Sequence, residues 1–270
     1  MSVILNATHP VPHLSSTLLT EAGGIAHGFS TRLGGVSCAP FDSLDLGYNR
    51  GDDPAHVAEN YRRFCAAIGA DHTRVVKSRQ IHTDNIRVVT EADVGVGLCE
   101  PAPYEADGLV TNVPGLCLTV FTADCVSVLL CDPVARCVAA VHSGWRSTAM
   151  AIVPKTVQVM ADRFGCRRGD ILAAIGPAIG GCCFQTRNEV PDAMLETYGL
   201  MAAPFIRPDG ADHFRVDLRG IIAQSLRHAG LSPHHIDGSD HCTACRPDLY
   251  WSHRLIGNAR GSMAAMIQLL

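Results

Sequence analysis

Two histidines and one cysteine lie beside predicted β-strands, at turn-like interruptions where side chains can converge on one cleft. They are His82, Cys125 and His142. Two imidazoles and one thiolate leave one position of a tetrahedral metal open, which is typical of a catalytic zinc site. The same residues would also suit a nucleophile pair of Cys125 and a histidine, with an acidic residue that orients the histidine. A third interpretation is that Cys125 fills a buried space and the histidines are ordinary turn residues.

Four arginines lie beside turns or at the edge of a predicted helix: Arg32, Arg50, Arg62 and Arg146. An arginine in such a position can bind a phosphate through two parallel hydrogen bonds, although a solvated surface arginine is the usual case. The glycine-containing segment 176–181 could present backbone N–H groups to an anion. A plain strand-to-helix turn explains that segment equally well.

A C-x-x-C motif near the end of the chain, Cys242 to Cys245, follows His241. Structural zinc normally needs a second pair of ligands, and no redox partner motif is visible, so we predict a structural role without a metal. The adjacent Cys182 and Cys183 either border the cleft or pack beneath it. The chain has twelve cysteines, and most lie in apolar runs rather than in a loop-rich framework, which predicts reduced thiols.

The elements that must position these residues centre on segment 116–145. Two apolar runs, 116–121 and 126–130, flank the interruption Thr-Ala-Asp-Cys, and a third run, 137–141, ends at His142. Short continuous apolar runs bounded by turns are typical of strands buried on both faces. An aspartate at such a place, Asp124, is costly unless it is paired or hydrogen-bonded. The pattern therefore predicts a site built into a rigid sheet.

Helices and strands alternate along the rest of the chain. Asp53 and Pro54 are typical of a helix start and Gly69 of its end, which predicts a helix over 54–68. No repeat or linker marks a domain boundary, so we expect an α/β sandwich around mixed sheets. Further helices are predicted over 148–164 with Pro154 in the first turns, over 189–198 with Asn188 as cap, and from Asp217 to Gly230; strands over 25–29, 74–78, 85–90, 171–175 and 262–270; and a loop over 95–105.

Composition excludes several classes of protein. The chain of 270 residues is 47% hydrophobic, enough for a large core, and its net charge is −4 with scattered basic residues, which argues against a nucleic-acid partner. No stretch approaches the roughly 18–20 apolar residues of a membrane span. The first residues show no signal-peptide pattern. We therefore expect a cytoplasmic protein without a membrane partner.

Five short motifs occur along the chain in the same order as in the YfiH-like, laccase-domain family, and together they resemble that family. The terminal Cys242-Thr243, Ser252-His253-Arg254 and Gly261 agree with the same family, and the resemblance covers nearly the whole chain. Ser143 and Ser147 stand where the family often has Ala and Gly. The motifs are Gln80-Ile81-His82, Glu105-Ala106-Asp107-Gly108, Thr122-Ala123-Asp124-Cys125, Val141-His142-Ser143-Gly144-Trp145-Arg146 and Gly176-Pro177-Ala178-Ile179-Gly180.

The resemblance implies an α/β (α+β) fold, a layered α/β/β/α sandwich with mixed sheets. It implies a single compact domain over 1–270 with duplicated halves. It also implies purine nucleoside phosphorylase activity on adenosine, inosine and methylthioadenosine, together with adenosine deaminase activity. The expected small-molecule partners are purine nucleosides and inorganic phosphate, and we expect a monomer or weak homo-oligomer.

Two other names attached to the family imply different chemistry. Multicopper polyphenol oxidases need many histidines, typically in H-x-H pairs, and this chain has no such pair. A peptidoglycan editing factor would be a cysteine- or zinc-dependent amidase, and a zinc-activated water can hydrolyse an amide. The oxidase is therefore the poorer alternative, and the amidase stays open.

The resemblance implies the metal ligands, and the residue types around them suggest a hypothesis for the mechanism. His82, Cys125 and His142 match the family's Zn²⁺ ligands. Deamination needs a carboxylate that moves protons, and Asp124 is the nearest candidate. Phosphorolysis needs a bound phosphate, which Arg50, Arg62 and Arg146 could hold.

Overall fold

Fifteen strands and seven α-helices make up the part of the chain that the computed structural model describes, residues 2–95, 101–102 and 104–270. No helix in these ranges is long and apolar enough to cross a membrane. The strands are β1 Val3–Asn6, β2 His13–Ser16, β3 Ile25–Ser30, β4 Val75–Val76, β5 Ile86–Val88, β6 Gly108–Thr111, β7 Cys117–Thr122, β8 Val126–Asp132, β9 Cys137–Ser143, β10 Leu172–Ile175, β11 Gln185–Thr186, β12 Ile206–Pro208, β13 Phe214–Val216, β14 Ile236–Gly238 and β15 Met263–Leu269. The helices are α1 Thr17–Ala22, α2 Pro54–Ile68, α3 Trp145–Ala149, α4 Ile152–Phe164, α5 Glu189–Tyr198, α6 Leu218–His228 and α7 His253–Ile256.

Two six-stranded mixed sheets form the centre of the molecule. The strand order of the first sheet is β1-β2-β3-β15-β7-β4, and that of the second is β14-β10-β8-β9-β6-β5. Strand β15 lies between β3 and β7 and is antiparallel to both. The chain passes from the first sheet to the second between β7 and β8. A small third sheet has the order β11-β13-β12.

Three apolar clusters hold the layers together, and alternate residues of one strand belong to different clusters. In β7, Leu118 lies in the cluster between the two sheets, whereas Cys117 faces helix α2. In β8, Leu129 lies between the sheets, whereas Leu130 packs under helices α4 and α6. Both faces of the central strands are therefore buried, as the continuous apolar runs predict. The layers are α/β/β/α, which confirms the predicted sandwich; its duplicated halves stay a prediction.

Helix α2 covers the outer face of the first sheet and has the predicted ends. The Asp53 side chain accepts a hydrogen bond from the Ala55 N–H at 2.8 Å, Pro54 occupies the first turn, and Gly69 ends the helix with φ of 74°. Tyr61 and Phe64 of this helix are fully buried. The amphipathic pattern of this segment therefore predicted both the helix and its buried face.

The helix predicted over 148–164 is in fact two helices, α3 and α4. They meet at Ala151, which has φ of 57°. Pro154 could not donate a hydrogen bond to Met150 within a continuous helix, and its ring would clash there. Because α4 begins at Ile152, Pro154 lies in a first turn, where that N–H is not needed.

Smaller differences concern the ends of elements. The strand predicted over 137–141 extends to Ser143, so His142 lies inside β9 rather than after it. The strands flanking His82 are shorter than predicted. Asn188 precedes α5, but its side chain makes no capping hydrogen bond. Of the loop predicted over 95–105, residues 96–100 and 103 lie outside the described residues.

Candidate metal and anion site

The structure brings His82, Cys125 and His142 together from three separate segments. Their potential ligand atoms all lie within 4.8 Å of one another. The Cys125 Sγ is 3.8 Å from the His82 Nε2, and the two imidazole rings meet edge to face with centroids 4.9 Å apart. His142 is buried, Cys125 partly buried and His82 exposed, so one side of the cluster is open to solvent.

An unusual backbone conformation directs the side chains of His82 and Cys125 toward the cluster. His82 has φ of 61°, and Asp124, directly before Cys125, has φ of 88°. Non-glycine residues rarely adopt this left-handed region, and such residues persist where the surroundings hold them. Cys125 lies in the turn where the chain crosses between sheets. His142 is held in β9, opposite Ser127 of β8.

Asp107 holds both histidines of the cluster. One of its carboxylate oxygens accepts a hydrogen bond from the His142 Nδ1 at 2.7 Å. The carboxylate also accepts from the backbone N–H groups of Ile81, His82 and Thr83 at 2.9–3.2 Å. With Nδ1 protonated, His142 presents its Nε2 to the cluster, which is how carboxylate partners orient metal-binding histidines. The sequence motif that contains Asp107 did not indicate this orienting role.

Electrostatics favour the thiolate at the centre of this cluster. Burial alone raises the pKa of Cys125, but His142 and His82 outweigh it and lower that pKa to about 6. Burial lowers the pKa of His142, whereas the Cys125 charge and the Asp107 hydrogen bond raise it to about 9. A thiolate is the form that binds metal or attacks a carbonyl, so both chemistries predicted for these residues remain available.

Gly144 packs directly against the side chains of His82 and Cys125. A Cβ at this position would lie 2.8 Å from a ring carbon of His82 and 3.1 Å from the Cys125 Sγ. No larger residue fits there without displacing one of them. The glycine therefore allows His82 and Cys125 to approach each other across the end of β9.

A cavity of about 430 Å³ opens on the cluster. Four of its lining residues are cationic, and none of those described is a carboxylate. The lining residues are Gly47, Tyr48, Asn49, Arg50, Lys77, Ser78, Arg79, Gln80, His82, Pro101, Ala102, Phe121, Thr122, Ala123, Cys125, His142, Arg260 and Ser262.

Two arginines on the cavity wall lie close enough to repel each other. Arg260 is only 6% exposed, and burial together with the nearby charge of Arg50 lowers its pKa to about 10. The Arg260 Nε has no hydrogen-bond partner among the described residues. The Arg50 Nε donates to the Ser262 hydroxyl at 3.4 Å. A buried guanidinium with an unpaired N–H beside a second guanidinium is stabilised when an anion binds.

The other predicted phosphate ligands lie elsewhere. Arg62 is an exposed residue of α2 and pairs with Glu59 at 2.7 Å. Arg146 stacks its guanidinium on Trp145, 4.3 Å from the ring centroid, and does not line the cavity. Neither side chain reaches the cavity, because a turn or helix edge does not determine the direction in which an arginine points. Arg50 alone of the three reaches the cavity, and Arg260 and Lys77 were missed.

Asp124 is also placed differently from the sequence-based hypothesis. One carboxylate oxygen accepts from the Thr243 hydroxyl at 2.6 Å. The other accepts from the Ser252 hydroxyl at 3.1 Å and the Arg254 N–H at 2.6 Å. The carboxylate thus faces the C-terminal segment and is not part of the cavity wall. These contacts hold the turn that precedes Cys125.

The C-x-x-C motif is not alone, contrary to the sequence-based interpretation. Cys242 and Cys245 lie beside Cys182 and Cys183, with the four sulfurs within 4.8 Å of one another. The sequence does not indicate that the two cysteine pairs are close together, because they are far apart in the chain. The four-cysteine cluster is separate from the cavity and its lining residues.

Fold and site together define a class: a layered α/β/β/α protein in which two histidines and a cysteine meet beside a cationic cavity. The family described as "Multi-copper polyphenol oxidoreductase laccase" matches residues 26–270, and the chain belongs to this family. This confirms the resemblance found in the sequence motifs.

Named relatives and a solved structure agree with this assignment. Purine nucleoside phosphorylase YfiH of Shigella flexneri is 36% identical over 248 residues, which cover 92% of this chain and 95% of the relative. Purine nucleoside phosphorylase YlmD of Geobacillus stearothermophilus is 35% identical over 248 residues, with coverage of 91% and 90%. The crystal structure of hypothetical protein YfiH of Bacillus licheniformis has a TM-score of 0.92 and 32% identity, and the match covers 98% of this chain and 99% of that one.

Proposed function

We propose that this protein is a zinc-dependent purine nucleoside phosphorylase. It would convert adenosine, inosine or methylthioadenosine and inorganic phosphate to the free base and the ribose 1-phosphate. The observation that carries the proposal is the cavity beside the cluster of His82, Cys125 and His142. There the Arg260 Nε, which has no hydrogen-bond partner among the described residues, lies near Arg50. The printed names of the Shigella and Geobacillus relatives support the same reaction.

The donor set of the cluster fits zinc. Two imidazole nitrogens and one sulfur lie within 4.8 Å of one another, and the exposed side at His82 faces the cavity. Borderline-soft Zn²⁺ accepts this combination of ligands, and three protein ligands are usual where the metal is catalytic. Zinc bound there would supply Lewis acidity next to a substrate oxygen.

The side chains of the cavity have distinct roles in phosphorolysis. Arg50 and Arg260 hold the phosphate dianion through charge-assisted hydrogen bonds, and the Ser262 hydroxyl lies against Arg50. Lys77, which contacts the Tyr48 ring at 4.2 Å, adds positive charge on the same wall. Phosphate held in this way is positioned for attack on C1′ of the ribose. The cationic wall also attracts the anionic co-substrate from solution.

Adenosine deaminase activity is the second function we propose for this cavity. The open side of the cluster favours it, because water could reach that position. Asp124 does not line the cavity, and no described lining residue is a carboxylate. Because no described side chain of the cavity wall is an obvious proton-transfer group, we expect deamination to be the slower reaction.

An amidase mechanism remains the alternative from another class. Cys125, His142 and Asp107 have the order of a nucleophile, a base and an orienting acid, with the Asp107–His142 hydrogen bond at 2.7 Å. Such an enzyme would need no metal and would be inactivated by alkylation of Cys125. Multicopper oxidation is disfavoured, because among the described residues only two clusters of three or more metal ligands occur, and one consists entirely of cysteines.

Product analysis tests the proposal. Purified protein is incubated with adenosine, with and without phosphate, and the products are separated by chromatography. We expect phosphate-dependent release of adenine, with inosine as a minor product that needs no phosphate. Turnover of a peptidoglycan peptide by metal-free protein, with no nucleoside products, would instead establish the amidase. The expected cytoplasmic location and the monomeric or weakly oligomeric state stay predictions.

A further inference from the structure

The four-cysteine cluster is formed by two loops that the fold places side by side. Cys182 and Cys183 follow β10, and Cys242 and Cys245 follow β14, which pairs with β10 in parallel. An isolated bridge between Ala178 and Cys242 continues this pairing into the loops. The Cys182 and Cys183 sulfurs lie 3.6 Å and 3.4 Å from the Cys245 sulfur, and all four thiols are free.

We propose that these four cysteines bind a second, structural zinc ion. A regular tetrahedron with Zn–S bonds of about 2.3 Å has its sulfurs about 3.8 Å apart. Two of the observed separations, 3.4 Å and 3.6 Å, are close to this value, and all four sulfurs lie within 4.8 Å of one another. Four thiolates fill the coordination sphere, which is the pattern of structural rather than catalytic zinc.

The backbone around the cluster is arranged to support a thiolate. The Gly180 N–H donates to the Cys242 Sγ at 3.2 Å, and the Cys245 N–H donates to the Cys242 carbonyl, which forms a tight turn. A Cβ at Gly180 would lie 3.3 Å from the Cys182 Sγ. The glycine therefore brings a backbone donor directly against the sulfurs. Backbone N–H bonds to sulfur favour the charged form that metal binding requires.

Positive charge surrounds the cluster. A zinc ion with four thiolates has a net charge of −2. Arg215 donates to the Cys182 carbonyl at 2.5 Å, and Arg254 donates to the Cys183 carbonyl at 3.1 Å. A guanidinium nitrogen of Arg219 lies 3.0 Å from the position that a Gly180 Cβ would occupy. Arg215 is itself paired with Asp209, so Arg219 and Arg254 chiefly offset the charge of the proposed centre, without ligating it.

The proposed zinc would fix the two loops that hold the turn at Cys125. Thr243, next to Cys242, donates to the Asp124 carboxylate, and the Ile179 N–H, next to Gly180, donates to the Asp124 carbonyl at 2.9 Å. Arg254 contacts both sides, through its N–H to Asp124 and its guanidinium to the Cys183 carbonyl. The second metal would therefore act as a positioning element for the first site.

Metal analysis of variants that lack one or both proposed sites tests this proposal independently of any enzymatic activity. Cys125→Ala abolishes the first site and should retain one zinc per chain. The double variant Cys125→Ala/Cys245→Ser should retain no zinc. The control is Cys125→Ala combined with Cys38→Ser, at an exposed cysteine outside the cluster, and it should keep the single zinc. Cys182→Ser, at an exposed ligand, is the substitute if the Cys245 variant does not fold.

Cobalt substitution supplies a second readout on folded protein. Cys125→Ala loaded with Co²⁺ should show the strong sulfur-to-metal charge-transfer absorption of a tetrahedral thiolate site, and the Cys182→Ser variant should lose most of it. The proposal is overturned if Cys125→Ala binds neither metal while intact-mass and thiol assays find the four cysteines free. It is equally overturned if they are paired in disulfides. Either outcome leaves the proposed phosphorylase function untouched.

Discussion

Arg260 keeps its guanidinium buried beside that of Arg50, whose positive charge disfavours the charged form of Arg260. A bound phosphate dianion removes this cost. We expect Arg260→Gln and Arg50→Gln to raise the KM for phosphate and to lower kcat/KM by about ten- to hundredfold, the equivalent of one lost charge-assisted contact. Steady-state kinetics at varied phosphate concentration measures this.

Arg62→Ala and Arg146→Ala are the matched controls, because both remove an exposed arginine outside the cavity. They should leave the phosphate KM unchanged. Phosphate-independent inosine formation should survive in all four variants. Equal loss of both reactions in the Arg50 and Arg260 variants, with metal retained, would place phosphate elsewhere.

Gly144 offers a steric test of the metal site that changes no ligand. In Gly144→Ala the added methyl group would meet His82 at 2.8 Å and Cys125 at 3.1 Å and force them apart. We expect at least tenfold weaker zinc binding at this site, measured by competition with a chromogenic chelator in a Cys245→Ser background. Gly169→Ala, where the added Cβ would meet nothing within 4 Å, is the control. Unchanged affinity in Gly144→Ala would show that the measured zinc is not bound by His82, Cys125 and His142.

The residue types of the site were readable from the sequence, but their directions were not. His82, Cys125 and His142 stood out because each interrupts or ends an apolar run. Asp124 shows the limit: its position beside Cys125 suggested acid–base chemistry, yet its left-handed backbone turns the carboxylate toward Thr243. A single backbone angle that no sequence pattern specifies decides between these roles.

The turn at Asp124 is held by side chains from a distant part of the chain. Asp124→Ala would leave the Thr243, Ser252 and Arg254 donors without their acceptor in a buried place. We expect a loss of about 3–5 kcal/mol in the free energy of unfolding, measured with denaturant. Asp212→Ala, at an exposed aspartate, should cost less than about 0.5 kcal/mol.

A purely catalytic role of Asp124 would give the opposite pattern, with unchanged stability and lost turnover. The conservative Asp124→Asn variant adds a discriminating measurement. Its amide keeps one acceptor oxygen, so part of the stability and of the zinc affinity should return.

The buried His27 of strand β3 predicts a pH dependence of the free energy of unfolding that is unrelated to catalysis. Burial lowers the pKa of His27 to about 4, and its Nε2 accepts a hydrogen bond from the Ser16 N–H at 2.9 Å. The unfolded chain takes up this proton near pH 6.5, so between pH 6.5 and 4 the unfolded state binds more protons. The free energy of unfolding should therefore fall as the pH is lowered through this window, by about 3 kcal/mol from this group.

Denaturant unfolding at several pH values, compared with His27→Gln, measures this contribution. The variant should lose the part of the acid-dependent slope that His27 contributes, while His234→Gln, which removes an exposed imidazole, should retain the full slope. An identical slope in all three proteins would contradict the assignment.

At the scale of the whole molecule, the cavity combines segments that no local pattern connects. Arg260 and Ser262 reach it from the start of the last strand, Arg50 from the loop before α2, and Lys77 from beyond β4. Periodicity and caps predicted most of the elements that carry them, as the ends of α2 show. The order of strands within each sheet sets which ends meet, and that order depends on long-range pairing rather than local preference.

The central place of β15 in its sheet has a consequence for synthesis on the ribosome. This strand is made after every other described strand, yet it lies between β3 and β7. A nascent chain whose residues 263–269 are still in the exit tunnel has two unpaired strand edges and lacks Arg260 and Ser262 in place. Chains stalled at that point should be cleaved readily by protease within the first sheet, whereas chains extended by a linker should resist. Since exposed edges promote wrong pairing, chains that still lack this strand should also be the most prone to misassembly.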